Sequence, residues 1–309
     1  MTAIDLRHVT KRFGDHTAVD DLTLAVPRGS VYGFIGPNGS GKTTTIRMIM
    51  NILLPDRGEI AVLDQQDSRA ARDRVGYLPE ERGLYRKMKV RRLLRYYGAL
   101  KGGSPAAIDR EIDFWLQRLG LADWAHHRVE ALSKGMSQKV QFIATVVARP
   151  ELVILDEPFS GLDPVNADVL RDAVLELRAR GTTIVFSTHD MGVAERMCDR
   201  IFMIFKGRKV LDGTLNEIQS AYGADTVRVR TEGGRPALDG LAEIVSVNDH
   251  GNLQEVRVNG SPHEFLQRLV QRTTVQHFEV ARPSLHDIFV RIARPDEQNG
   301  GNGEKNDGK

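Results

Sequence analysis

At 309 residues the chain is long enough for a sizeable core and for two domains. Charged residues make up 27% and hydrophobic residues 41%, and 43 Lys and Arg against 41 Asp and Glu leave a net charge of +2. That is the balance of a soluble globular protein and gives no overall basic footprint for nucleic acid.

From the N-terminus, "MTAIDLRHVTKRFGDH" has no apolar h-region, so no secretory signal is expected. No apolar run approaches the ~18–20 residues of a membrane span, so any membrane part belongs to another chain. The runs "AIDLRHVTKRF" and "LTLAVPRGS" alternate like antiparallel strands. "VYGFIG" reads as a buried strand ending at Gly36, a glycine-rich turn follows, and "KTTTIRMIMNIL" opens a helix.

Between Leu84 and about Glu130 the pattern is helical. Its basic start, "LYRKMKVRRLLRYY", is either a solvated helix face or a local patch. A further helix is expected from Met136, because Met136, Val140, Ile143 and Val147 recur at helical spacing. "LVILDEP" and "TTIVFSTH" are short β-branched runs typical of buried parallel strands, and their alternation with helices predicts an α/β fold. The only cysteine, Cys198, excludes an internal disulfide and reads as a buried thiol on a helix.

Composition shifts after about Ser220. "TVRVRTEG", "EIVSVNDHGNLQEVRVNG" and "TTVQHFEVA" alternate at period two, the second with a hairpin turn near Asp249–Asn252. Ser261-Pro262 marks a helix entrance and "PSLHDIFVRIA" a short amphipathic helix. This predicts a small α+β module without a catalytic cluster. The polar, Gly/Asn-rich end over residues 295–309 reads as disordered.

Two motifs carry chemistry. Gly36-Pro37-Asn38-Gly39-Ser40-Gly41-Lys42-Thr43, followed by Thr44, is a complete P-loop between a predicted strand and a predicted helix. Its glycines let backbone N–H groups converge on phosphate oxygens, and the helix N-terminus adds partial positive charge. Lys42 is expected to reach the β- and γ-phosphates, and the Thr43 hydroxyl to hold Mg²⁺. Asp156 and Glu157 end an apolar strand; Asp156 suits the Mg²⁺ shell, and Glu157 can polarise an attacking water. These residues by themselves define a Mg²⁺-dependent nucleoside triphosphatase.

What lies between and after them resembles the ATP-binding subunits of ABC transporters, over roughly residues 1–218 and in that family's motif order. "DEPFSGLDP" is similar to the Walker B and D-loop, with Asp163 in the D-loop. "STHD" makes His189 the switch histidine, which in the family contacts the γ-phosphate. "KRFG" resembles the A-loop, making Phe13 an adenine platform, with a buried core phenylalanine as the rival reading. "GYLPEERGLY", "LSKGM" and "PSLHDIFVRIA" resemble a bacterial and archaeal branch that includes sodium and antibiotic exporters with a small C-terminal domain.

Two departures stand out. Where the family's Q-loop usually carries Gln, this chain has Glu80, which can still offer oxygen to Mg²⁺ but loses the amide donors. A plain surface glutamate is the other reading, with Glu81 available to shift the register. The signature, usually Leu-Ser-Gly-Gly-Gln, is here Leu132-Ser133-Lys134-Gly135-Met136. Ser133 keeps the hydroxyl, Gly135 a close-approaching N–H, and the following helix its N-terminus, whereas Met136 loses a donor. Lys134 either adds charge or faces solvent.

The expected architecture is a P-loop ABC ATPase core over residues 1–218, with an antiparallel β part and a helical subdomain at about 84–148. A C-terminal α+β domain over 219–294 and the tail over 295–309 complete it. With one P-loop and one signature, the resemblance implies a dimer holding two ATPs, each signature acting in trans. It also implies coupling to a separate membrane permease from the cytoplasmic face, for export, with no nucleic acid partner. The rival function is a soluble ATPase of the same family acting on ribosomes or DNA. Those relatives usually carry two cassettes or long insertions, and this chain has neither.

Overall fold

The computed structural model describes residues 1–66, 68–81, 83–222 and 225–293. They fall into two compact units, Met1–Thr214 and Leu215–Lys309, so the expected disorder of 295–309 lies outside the described residues. Among those described, no helix is long and apolar enough to cross a membrane.

The first unit begins with the strands β1 (Thr2–Phe13) and β2 (His16–Pro27), then β3 (Val31–Ile35), helix α1 (Lys42–Ile49), and strands β4 (Arg57–Val62) and β5 (Val75–Leu78). Helices α2 (Val90–Leu100), α3 (Pro105–Arg118) and α4 (Lys134–Val146) follow. The chain then runs through β6 (Leu152–Asp156), α5 (Pro164–Ala179), β7 (Thr183–Thr188), α6 (Met191–Met197), β8 (Arg200–Phe205) and β9 (Arg208–Gly213).

Two sheets organise these elements. β2, β1 and β4 form an antiparallel sheet, and the second sheet has the order β5-β6-β7-β3-β8-β9. In it the first five strands are parallel, and β9 pairs antiparallel with β8. Every residue of β3, β6 and β7 is buried, as a strand covered on both faces requires. On one face Ile46, Met48 and Ile49 of α1 join Leu6, Leu22 and Leu24 of the antiparallel sheet. On the other face the helices build a second core around Trp115, Phe142 and Phe186. Trp115 meets Phe142 edge-on with centroids 5.6 Å apart, a favoured aromatic geometry.

The helical region differs in detail from the sequence reading. Residues 84–89 are not helical; Met88 N–H closes a turn on the Tyr85 carbonyl, and Lys89 is extended and bridges to Arg128. That cross-connection holds the chain out until α2 starts at Val90. The stretch before Glu130 is also interrupted by short 3₁₀ turns at Ala122–Trp124 and Val129–Ala131. α4 begins two residues before Met136, at Lys134, because the Ser133 side chain caps it by accepting from Met136 N–H at 3.2 Å. Cys198 lies not on α6 but just beyond it, in extended conformation, and burial pushes its thiol pKa up.

The second unit starts earlier than residue 219. Helix α7 (Leu215–Ala221) belongs to it, since Gln219 donates to the Pro283 carbonyl at 3.0 Å and Arg282 to the Asn216 side chain. Strands β10 (Thr226–Thr231), β11 (Ile244–Asp249), β12 (Gln254–Val258) and β13 (Val275–Ala281) form an antiparallel sheet in the order β11-β12-β10-β13. Helix α8 (Pro262–Arg272) lays Phe265 and Leu269 on Val227, Val229, Val256 and Val258. Helix α9 (Leu285–Ala293) follows, its Arg291 bonded to Tyr222 O at 3.1 Å and Asp225 at 3.2 Å.

A Cβ at Gly33, in the middle of β3, would lie 2.5 Å from Cys198 Sγ, with the next atom 3.6 Å away. Gly33→Ala is therefore expected to lower stability by about 1–3 kcal/mol. Adding Cys198→Ala should recover most of that loss in urea unfolding, and strictly additive effects would refute the contact.

Candidate active site

Four adjacent parallel strands deliver the site. Beyond β3 comes the P-loop, beyond β5 Glu80, at the end of β6 Asp156 and Glu157, and beyond β7 His189. Asp156 is level with Ser187, Leu155 with Phe186, and Ile35 with Thr188. The carboxyl ends of these strands thus open on one edge, where ligands of open parallel sheets bind.

The P-loop winds tightly into α1. Gly41 adopts φ 111°, and a Cβ there would lie 2.5 Å from the Ala18 carbonyl, so only glycine fits. The Lys42 ammonium, 6% exposed, donates to Gly36 O at 2.7 Å and Pro37 O at 3.2 Å and lies 3.9 Å from Glu157 Oε1. Burial lowers its pKa, and Glu157, Asp156 and Glu80 partly offset this. Ser40 Oγ is buried without a hydrogen-bond partner among the described residues. A buried hydroxyl left unpaired beside a cationic loop fits an oxyanion ligand such as a phosphate.

Around the carboxylates the bonding is close. Ser187 Oγ donates to Asp156 Oδ1 at 2.5 Å and accepts from Glu157 N–H at 2.9 Å. Glu157 takes φ 49°, an uncommon left-handed conformation for a side chain with a Cβ. The turn places its carboxylate 3.0 Å from His189 Nδ1. Thr43 Oγ1 and Asp156 Oδ1 are 3.5 Å apart. This all-oxygen pair, with few protein ligands, fits Mg²⁺, which keeps waters and shares phosphate oxygens. Among the described residues no cluster of three or more His, Cys, Asp or Glu could hold a metal by itself.

These groups line a cleft of about 480 Å³ that includes Phe13, Asn38, Gly39, Ser40, Gly41, Lys42, Thr43, Thr44, Glu80, Glu157 and His189. Its volume is that of a small-molecule site. Phe13 is 49% exposed, which excludes a core role, and Lys11 Nζ lies 5.6 Å from its ring centroid. Glu80, exposed, is among the residues that line the cleft, and Glu81 is not. A cleft of about 540 Å³ between β1, β4 and the end of α1 contains none of these residues.

Three sequence candidates lie elsewhere in the chain. Asp163 caps α5, accepting from Asn166 N–H at 3.0 Å, and that bond holds its carboxyl below the usual pKa. Ser133 and Gly135 sit in the cap and first turn of α4. Early N–H groups of a helix have no acceptor within it, and the Gly135 N–H is one of these in α4. The residue that sequence reading missed is Ser187. Its hydroxyl is one of several in the run "TTIVFSTH", and its partners are on another strand, so no local signal singled it out.

A parallel sheet with a phosphate-binding loop and paired acidic groups at its carboxyl edge defines a P-loop nucleoside triphosphatase. Residues 19–160 match the ABC transporter family model, and residues 213–293 match that of the ATP-binding protein DrrA1-3-like C-terminal domain. The chain is 42% identical over 293 residues to the ABC transporter ATP-binding protein YhaQ of Bacillus subtilis, covering 94% of this chain and 97% of the relative. It is 35% identical over 302 residues to the Nod factor export ATP-binding protein I of Bradyrhizobium diazoefficiens, covering 94% and 96%. A solved ATP-binding subunit of an ABC transporter superposes with a TM-score of 0.67 at 32% identity, over 72% of this chain and 94% of that one. The chain belongs to the ABC transporter ATP-binding proteins, and it is an ATP-binding, ATP-hydrolysing transporter subunit.

Ser187→Ala leaves Asp156 and the Glu157 N–H without their shared partner. The expected cost is about 1–3 kcal/mol in stability. ATPase activity should fall further than stability explains, because Glu157 loses its anchor. Full activity in the folded variant, measured by phosphate release, would exclude this role.

Proposed function

We propose that this chain powers export through a separate membrane permease, and that it acts as a dimer binding two ATPs between P-loop and signature. The observation that carries this reading is the carboxyl-edge cluster of Lys42, Thr43, Asp156, Glu157 and His189, together with Ser133 and Gly135 outside their own chain's cleft. Export is favoured by the relative named for Nod factor export, similar along nearly its full length. That likeness also favours transport over action on ribosomes or DNA, and we propose no nucleic acid partner.

Phe13 carries the adenine, while Asn38, Gly39, Ser40, Gly41, Lys42, Thr43 and Thr44 surround the phosphates. Thr43, Asp156 and Glu80 would hold Mg²⁺, which would neutralise charge on the phosphates. Lys42 is already desolvated, so phosphate charge meets a cation that burial has made less favourable. Glu157 orients the attacking water, and His189, bonded to it at 3.0 Å, fixes the carboxylate and faces the γ-phosphate. The partner's Ser133 hydroxyl and Gly135 N–H complete the shell at the N-terminus of α4. Asp163 steadies the start of α5 beside that contact.

Closure reaches the permease through the helical subdomain. There Tyr85, 55% exposed, and Tyr96, 41% exposed, stack edge-on at 5.9 Å and offer an aromatic surface to a partner. Attachment to the permease places the chain on the cytoplasmic face of the membrane.

Glu157→Gln should retain ATP binding, lose at least ~100-fold in hydrolysis and accumulate as a closed dimer in size-exclusion chromatography with ATP. An unchanged hydrolysis rate would remove Glu157 from its role. Ser133→Arg should bind ATP normally but no longer dimerise with it. Persistent ATP-dependent dimers would reduce the pentad to a helix entrance.

A further inference from the structure

A second cleft, of about 430 Å³, lies behind the nucleotide cleft and shares Glu80, Glu157 and Ser160 with it. Its other wall comes from α4 and includes Lys134, Gln138 and Gln141. Gln141, 8% exposed, is among the residues that line this cleft. An amide lining a cleft can donate to a polar occupant there. Gln138 donates to the Pro158 carbonyl, which holds the floor in place. Lys134 is a cation in the first turn of a helix, where the helix dipole opposes it. Its ammonium folds over Gly161 instead, 3.0 Å from where a Cβ would stand, and lines the same cleft.

The lining is thus of two kinds: carboxylate acceptors from Glu80, Asp156 and Glu157, and donors from Lys134 and Gln141. The phosphates of ATP accept but do not donate, so by themselves they pair only with the Lys134 and Gln141 wall. A species that both donates and accepts satisfies both walls. Hydrolysis produces one. Water forms a bond to the γ-phosphorus, the bond from that phosphorus to the bridging oxygen breaks, and ATP⁴⁻ plus H₂O gives ADP³⁻ plus H₂PO₄⁻. Dihydrogen phosphate has O–H groups for the carboxylates and oxygens for the ammonium and amide.

We infer that the cleft between α4 and the ends of β5 and β6 is a holding and exit site for product phosphate, with Lys134 and Gln141 as its donors. The inference rests on the proposed dimer, in which ADP and the partner's signature close the nucleotide cleft from the front. Phosphate then leaves past Glu157 and Ser160, the residues common to both clefts. Lys134, in the place where the family usually has glycine, is accounted for as a residue serving its own chain's product.

The test uses the full chain in a single turnover. Total phosphate is followed by rapid quench and free phosphate by a fluorescent phosphate-binding reporter, for the unmodified chain, Gln141→Leu and Lys134→Met. In the unmodified chain the two curves should superimpose. In each variant free phosphate should lag cleavage by fivefold or more, because a charged product crosses a cleft stripped of its donors. Lys134→Met, altered near the surface, decides the matter should Gln141→Leu fold poorly. Superimposed curves in a folded variant overturn the proposal. Absence of cleavage in the unmodified chain would instead strike the function on which it rests.

Discussion

The site depends on the parallel register of β5, β6, β7 and β3. Because these strands end level with one another, four separated sequence segments emerge at one sheet edge. Full burial holds that register, since a one-residue slip would drive Asp156 into the apolar core and pull apolar side chains to the edge. Ser187 pins it locally, with one hydroxyl joined to both Asp156 and the backbone of Glu157. The Glu157 backbone, held at positive φ, is what aims the carboxylate at His189 rather than along the strand.

The electrostatics of the edge follow from that convergence. One buried ammonium, Lys42, stands among Glu80, Asp156 and Glu157, and burial makes its charge costly. Carboxylates held this close repel each other, and a divalent cation with a polyphosphate relieves both imbalances together. Ser40, buried with a hydroxyl unpaired among the described residues, is in the same position on a smaller scale. The loop is therefore built for an occupant, at some cost to the free protein.

Much of this was legible in the sequence because it is local. The P-loop, the Asp156-Glu157 pair and the Ser133–Gly135 stretch each carry their chemistry within a few residues. The antiparallel hairpin of β1 and β2 showed in its alternation. Strands β4, β5, β8 and β9 were not read from the sequence: β4 and β5 pair with strands distant in the chain, whereas β8 and β9 are neighbours in a hairpin. The start of α4 was placed too late because hydrophobic spacing begins at Met136, whereas the helix begins with the Ser133 cap and a polar turn. The boundary between the units falls at Leu215, because α7 is bonded to Pro283 and Arg282, partners distant in sequence.

The sequence by itself determined the α/β class and the groups that handle phosphate, since both follow from contiguous pattern and residue chemistry. It left Phe13, Glu80 and Lys134 each with two readings. The tertiary structure removed the core reading of Phe13 and brought Glu80 and Lys134 to the clefts, because exposure and cleft membership arise from elements far apart in the chain. Phe13 stands half-exposed at the cleft, Glu80 lies exposed at its edge, and the exposed Lys134 reaches over Gly161. A side chain's neighbours across a fold are set by packing, and one-dimensional spacing does not encode them.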